Sequence, residues 1–402
     1  MGVAVLRITP LSELHERVKR LQARLQAEDL DAAFIMENTD LFYFAGSMQQ
    51  GIFAVPARGE PVYLVRRNYG RAREESAWTE ILPMGGFQEL PAALAAHGHT
   101  EFKRVGLEWD VLPVNIYRRL HKLFPAAEFA DISMLLREIR MLKSAYELDC
   151  FRRAGALALT VNRQIPILLQ SGKPELFLST EIENLYRRAG HQGLLRMRAF
   201  NAEMYFGHVY AGENGALHTF LDSCTGGSGV TTACPQGAGW KTLAPHEPIG
   251  VDYAAICEGY TLDHTRVFSI GPLPPELQRA YAAAVEIQDE VIKKALPGVS
   301  CAELYRLATA MAAEIGLAEN FMGYGREQVK FIGHGIGLEI DELPVLGQGS
   351  PFTLTEGMVF ALEPKFIFPG KGMVGLENVW HVTAGGPEKL SPIPDDLVVV
   401  PL

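Results

Sequence analysis

Apolar residues near the N-terminus recur three and four positions apart, at Leu11, Leu14, Val18, Leu21 and Leu25, after Thr9 and Pro10. That spacing predicts an amphipathic helix with one buried face, started by the Thr-Pro pair. Apolar runs of strand length follow at 31–36, 51–55 and 61–65, the last two joined as a hairpin through Ala57-Arg58-Gly59-Glu60. Helical spacing around 69–77 and 88–97 then alternates with short strands at 80–82 and 105–109, and the pattern closes near Ala130. Such alternation predicts an α/β sheet. This part holds no acid cluster, phosphate-binding glycine loop or nucleophile motif. It reads as a domain that supports assembly or closes over a site.

The period is helical again from 134 to 170, broken at Lys143-Ser144, where Ser144 and Glu147 have capping-box spacing. The domain boundary is placed there, and another helix is predicted over 175–189. Residues 196–239 carry many glycines and no helical period. A loop of that length reads as substrate-shaping or as an ordinary surface excursion. Helices follow at 275–296 and 301–315, separated by Pro297-Gly298.

Two predicted β-hairpins each carry a pair of acids. Folding 251–263 about Cys257-Glu258 sets Asp252 opposite Asp263, and folding the last one about Gly370 sets Glu363 opposite Glu377. Directly opposed residues have Cβ atoms about 5 Å apart, where like charges are destabilising. Two such pairs call for cations between them. Carboxylate oxygens suit Mn, Mg, Fe or Zn, and metal ions about 3.5–4 Å apart are the usual arrangement for metal-assisted hydrolysis. Between the hairpins, His334 stands among Gly333, Gly335 and Gly337, a setting that frees its imidazole of bulky neighbours.

Composition narrows the classes. The chain has 402 residues, enough for two domains, and its 48% hydrophobic content is that of a globular protein. A net charge of −10 argues against nucleic-acid and anionic-membrane partners. Five cysteines without CxxC spacing point to thiols in a reducing cytoplasm. The apolar run Met1–Leu6 is too short for a signal-peptide core, Leu6 spoils a myristoylation reading of Gly2, and no later run approaches a membrane span.

Asp252 and Asp263 lie in a D-x-x-x-x-x-x-G-Y-x-x-D-x-T-R string, His334 in G-H-G-I-G, Glu363 in G-M-V-x-x-x-E-P and Glu377 in the last hairpin. This set resembles the pita-bread metallopeptidases of family M24: methionine aminopeptidases, aminopeptidase P and the Xaa-Pro dipeptidases (prolidases). The resemblance covers the whole chain. It implies an α/β (α+β) fold with a creatinase/prolidase-like N-terminal domain over 1–143 and a pita-bread catalytic domain over 144–402. By the same resemblance Asp252 chelates one of two divalent ions, Asp263 and Glu377 bridge both, and His334 and Glu363 ligate the other. Manganese is expected first, with cobalt, zinc or iron as alternatives. A hydroxide held between the metals would attack the scissile carbonyl, Glu363 would accept and return its proton, and Thr265 and Arg266 would hold the ligands in place. A small peptide or amide substrate, an Xaa-Pro dipeptide by default, and a homodimer are implied as well.

Three departures from the family pattern stand out. Asp341, in Asp341-Glu342-Leu343-Pro344, takes the place of a second histidine. Gln236, in Pro235-Gln236-Gly237, takes that of another, and Gly375 replaces an arginine ahead of the last glutamate. A carboxylate would repel a developing oxyanion, and an amide can donate a hydrogen bond but cannot shuttle a proton. His208, His218, His246 and His381 are candidate substitutes. These departures raise an alternative, a scaffold turned to non-peptide substrates in the manner of creatinase or of a small-zwitterion lyase. A third reading, a non-catalytic binding module, runs against the retained ligand set.

Overall fold

The computed structural model describes residues 7–99 and 101–402; Met1–Leu6, on which the signal-peptide and myristoylation readings rest, lies outside the described residues. The chain forms two compact units, Met1–Arg140 with Arg198–Phe200, and Met141–Met197 with Asn201–Leu402. The division falls inside the helix Ser133–Met141, just ahead of the capping box. There Glu147 N donates to Ser144 Oγ at 3.2 Å and Ser144 N to Glu147 Oε2 at 2.9 Å.

The first unit is a six-stranded mixed sheet in the order Ile81–Pro83, Val62–Val65, Gly51–Pro56, Ala32–Ile35, Arg104–Leu107, Glu128–Asp131. Antiparallel pairing joins Gly51–Pro56 to both of its neighbours, and the outer pairs are parallel. The first helix, Leu11–Ala27, buries Leu14, Val18, Leu21 and Leu25 as their spacing predicts. It also buries Arg17, whose Nη1 donates to Tyr43 O at 2.8 Å and whose guanidinium lies 4.1 Å from the Tyr43 ring centre. The sequence reading missed the helices Asn38–Ala45 and Val114–Leu123. The first of them buries six of its eight residues, so it has too little polar face to show an amphipathic period.

The second unit contains three sheets. One runs Val398–Val400, Tyr260–Ile270, Ile249–Cys257, Gly207–Ala211; another runs Glu342–Gly347, Phe331–Gly335, Val359–Leu362, Asn378–Thr383, Gly386–Lys389. The third is the short pair Lys365–Phe368 and Gly372–Gly375. Helices Pro275–Lys294 and Cys301–Glu314 bury Leu277, Ala284, Ile287 and Leu304 in a core shared with Phe360, Leu362, Trp380 and Val382. Alternation along these strands then sends Glu363 and Glu377 to the opposite face.

The register of the first acidic hairpin differs from the expectation. Its turn residues are Glu258 (φ 51°) and Gly259 (φ 85°), and Cys257 pairs with Tyr260. Two successive residues with positive φ make the primed turn that matches strand twist, and it centres one residue later than the sequence reading. Asp252 therefore faces Thr265 and Asp263 faces Ala254, so the two aspartates are diagonal neighbours on the ladder. In the second hairpin Leu362 pairs with Asn378 and Lys365 with Gly375, a single register that sets Glu363 across from Glu377.

The segment 196–239 is not a structureless loop. It contributes the edge strand Gly207–Ala211, which pairs with Ile249–Cys257 and sets His208 directly opposite Asp252. Beyond the strand the buried Glu175 carboxylate accepts from Ala211 N at 2.6 Å, Asn214 Nδ2 at 2.7 Å and Gly239 N at 3.1 Å. Three donors on one buried acid hold a stretch that has no apolar period of its own.

Candidate metal centre

Each expected ligand sits where a strand begins, ends or pairs. His334 lies in Phe331–Gly335, flanked by two glycines whose close packing leaves no space for side chains: a Cβ on Gly333 would meet Ala361 O at 2.2 Å, and one on Gly335 would meet Leu343 O at 2.0 Å. Glu363 follows Val359–Leu362 directly, with its N–H donated to Ile332 O at 2.9 Å. Glu377 immediately precedes Asn378–Thr383.

Thr265 and Arg266 fasten Glu377 to the aspartate hairpin. Thr265 Oγ1 donates to Glu377 Oε2 at 2.9 Å, and Glu377 N donates to Thr265 O at 3.2 Å. The buried Arg266 guanidinium donates to Glu377 O at 2.8 Å, Asn378 Oδ1 at 2.7 Å and Asp395 Oδ1 at 2.8 Å. Backbone and side chain of Glu377 are thus fixed from the same two residues.

The carboxylates face two ways. Glu363 Oε1 and Glu377 Oε1 lie 3.8 and 3.9 Å from His334 Nε2. Asp263, His334 and Glu377 each bring a ligand atom within 4.8 Å of the others. Glu377 Oε1 is a buried acceptor without a hydrogen-bond partner. Oxygen and imidazole donors so gathered, one of them an orphaned anion, fit a divalent ion.

The second direction belongs to a residue that the sequence reading passed over. Lys365 Nζ donates to Glu363 Oε2 at 2.9 Å, Glu377 Oε2 at 3.0 Å and Asp252 Oδ2 at 3.2 Å, and its side chain is 2% exposed. A signal was present: Lys365 is two residues from Glu363 and so shares its face of an extended strand. It also pairs across the hairpin with Gly375, where the family arginine is missing; a Cβ there would press on Lys365 Cα at 2.7 Å. Glycine at 375 lets the strand carrying the lysine approach. Tyr210 is a second residue missed, and its hydroxyl donates to Asp252 Oδ2 at 2.9 Å.

Electrostatics follow this division. Burial pushes the Asp252 carboxyl up, but Lys365, His208 and the Tyr210 hydroxyl together hold it below the usual carboxylate range. Burial and the neighbouring charges of Glu377 and Asp252 push Asp263 well above that range. Glu377 is pushed up to about 7, chiefly by burial, against the pull of Lys365. The His334 imidazole is opposed by burial but raised by Asp341, Glu363 and Glu377.

The substituted positions lie at the periphery of this cluster. Asp341, more than half exposed, has Oδ1 3.6 Å from His334 Nδ1, the ring nitrogen opposite the one that faces the glutamates. Gln236 is buried, with Nε2 donated to Glu203 O at 2.9 Å and Oε1 unpartnered. Beside it, Gly237 packs so closely on His208 that a Cβ would lie 2.8 Å from the ring. His208 is buried and its Nε2 has no well-aligned partner; burial holds the imidazole below its ordinary range despite Asp252. Of the candidate substitutes only His208 faces the aspartates. His218 lines a cleft of about 620 Å³ with Arg326 and Lys330, His246 Nδ1 is 2.8 Å from Pro272 O, and His381 is 3.5 Å from Glu388.

Comparison with known proteins bears on the whole chain. The model of the creatinase/prolidase N-terminal domain matches residues 17–142, and that of metallopeptidase family M24 matches residues 149–384. An Xaa-Pro dipeptidase of Pyrococcus horikoshii is 25% identical, over 96% of this chain and 99% of its own length. One from Lactobacillus delbrueckii is 26% identical, over 95% and 98%. Among solved structures, the Xaa-Pro dipeptidase of Bacillus anthracis superposes with a TM-score of 0.81 at 23% identity, covering 96% of this chain and 100% of that one. A dipeptidase of Mycobacterium ulcerans does so with a TM-score of 0.80 at 26% identity, covering 98% and 100%.

Proposed function

This chain belongs to metallopeptidase family M24, and from that premise we propose that it hydrolyses small peptides, with Xaa-Pro dipeptides as its first substrate class. The observation that carries the reading is the convergence of Glu363 and Glu377 on His334 Nε2, with a ligand atom of Asp263 within 4.8 Å of His334 and Glu377 and an unpaired glutamate oxygen among them. Asp263, His334, Glu363 and Glu377 would hold the divalent ion, which when bound polarises a scissile carbonyl and acidifies water.

The chain's own groups supply the rest. Glu363 is placed to accept a proton from attacking water and return it to the leaving amine. Thr265 and Arg266 orient Glu377, and the Gly335 carbonyl, 3.1 Å from His334 Nδ1, fixes the ring's tautomer, with the Asp341 carboxylate 3.6 Å from the same nitrogen. Lys365 holds positive charge beside Glu363 and Asp252. His208, opposite Asp252 on the ladder, and Gln236, whose side chain interacts with His208, are the residues we assign to substrate contact. Among the described residues no helix is long and apolar enough to cross a membrane. Manganese as the natural ion, a homodimer and a cytoplasmic location complete the proposal, resting on the family resemblance and the cysteine usage.

The test is proline release from a panel of X-Pro dipeptides, with matched non-proline dipeptides and small amides, by protein reconstituted with manganese or cobalt. Turnover of at least one X-Pro substrate is expected. Turnover confined to non-peptide amides would transfer the site to the alternative chemistry, and none at all would refute the peptidase assignment.

A further inference from the structure

The two directions of the carboxylates have a consequence for metal content. Glu363 and Glu377 each turn one oxygen to His334 and the other to the ammonium of Lys365. Asp252, the ligand that the family resemblance gives to one ion alone, turns an oxygen to the same ammonium: its Oδ2 accepts from both Lys365 Nζ and Tyr210 Oη. We propose that this chain holds one divalent ion, ligated by Asp263, His334, Glu363 and Glu377, and that Lys365 permanently fills the position of the second.

The geometry is that of an ammonium site. Nζ–O distances of 2.9, 3.0 and 3.2 Å use all three N–H donors of a lysine on three carboxylates. A divalent transition ion draws its oxygens to about 2.0–2.2 Å, so it cannot share this space with Nζ. Nor is the lysine free to leave, because its side chain is 2% exposed and its backbone is paired with Gly375, so closely that a Cβ there would meet Lys365 Cα and Cγ. The charge count points the same way. Asp252, Asp263, Glu363 and Glu377 sum to −4 when ionised, and Lys365 leaves −3. One divalent ion brings the cluster to −1; two would make it +1, with an ammonium against a dication in a buried site. The lysine therefore supplies one of the missing ion's two positive charges without its open coordination position.

This inference rests on reading the cluster as a metal centre, and the two can fail separately. Full-length protein, stripped and reloaded with excess manganese, is desalted and its metal counted by elemental analysis, together with Lys365→Ala and Lys365→Arg. The expected result is one equivalent in the wild type and in Lys365→Arg, rising to two in Lys365→Ala, where the vacated space and the released Asp252 admit a second ion. Two equivalents in the wild type, or one in a folded Lys365→Ala, overturns the assignment to Lys365 while leaving a metal centre. None in the wild type overturns the metal reading itself. Should Lys365→Ala fail to fold, the electron paramagnetic resonance of the manganese-loaded wild type decides: an isolated six-line Mn(II) signal supports the proposal, and an exchange-coupled pair overturns it.

Discussion

Thr265→Val removes one hydroxyl and leaves the side chain's shape nearly unchanged. In the wild type that hydroxyl is buried and donates to Glu377 Oε2 at 2.9 Å. A hydrogen bond to a charged group contributes about 1.5–3 kcal/mol, and its loss here is only partly offset, since Lys365 remains on the same oxygen at 3.0 Å. With Glu377 as a proposed ligand through its other oxygen, that loss is expected to fall on metal binding as well as on folding. The expected fall in manganese affinity is about ten- to a hundredfold, the range typical of groups that orient a ligand. Calorimetric titration of chelator-stripped protein measures it, with Thr265→Ser as the control that keeps the hydroxyl and stays near wild type. Affinity of Thr265→Val within about twofold of wild type, or a serine variant as weak as the valine, would refute the idea that Thr265 positions Glu377.

Three further outcomes are expected. In the metal-free chain Glu377 is raised to about 7 and Asp263 well above its ordinary range. A folded-state pKa above the unfolded one means stability held at low pH and lost as pH rises through the folded value. Denaturation midpoints of the stripped protein should therefore fall from pH 5 to pH 8 as this pair contributes, while manganese binding strengthens and releases protons; an opposite slope in both would contradict it. Lys143→Met removes the ammonium that meets Glu342 Oε2 at 2.8 Å in a buried pair, leaving that carboxylate's charge to backbone donors such as Leu338 N at 2.9 Å; breaking the pair should cost about 3–5 kcal/mol in chemical denaturation. Glu175→Ala removes three hydrogen bonds from Ala211, Asn214 and Gly239, so limited proteolysis should cut within 212–239 far faster than in the wild type.

How much of this could be read from the chain depended on whether the signal was local. The first helix, the capping box at Ser144 and the helices after Pro274 and Ser300 rest on short-range spacing, and they stand where that spacing predicts. The buried helix Asn38–Ala45 lacks the polar face that such spacing needs. The aspartate hairpin is displaced because Glu258 and Gly259, rather than Cys257 and Glu258, take positive φ, a placement for which Gly259 is the residue-type signal. In the second hairpin Gly370, with φ 72°, marks the turn by itself, and the register followed. Lys365 carries no mark of its own, since a lone lysine is ordinarily a solvated surface residue, although its alternation with Glu363 places it on the same face. His208 could not be separated from His218 and His246 until the edge strand Gly207–Ala211 set it across from Asp252.

The central claim is that three carboxylates and one imidazole were brought together to grip a cation. Anomalous diffraction at the manganese edge from a crystal grown with the ion tests it most directly. A peak is expected within bonding distance of His334 Nε2, Glu363 Oε1, Glu377 Oε1 and a carboxylate oxygen of Asp263. A map with no peak there, and those oxygens paired instead with protein donors, would contradict it.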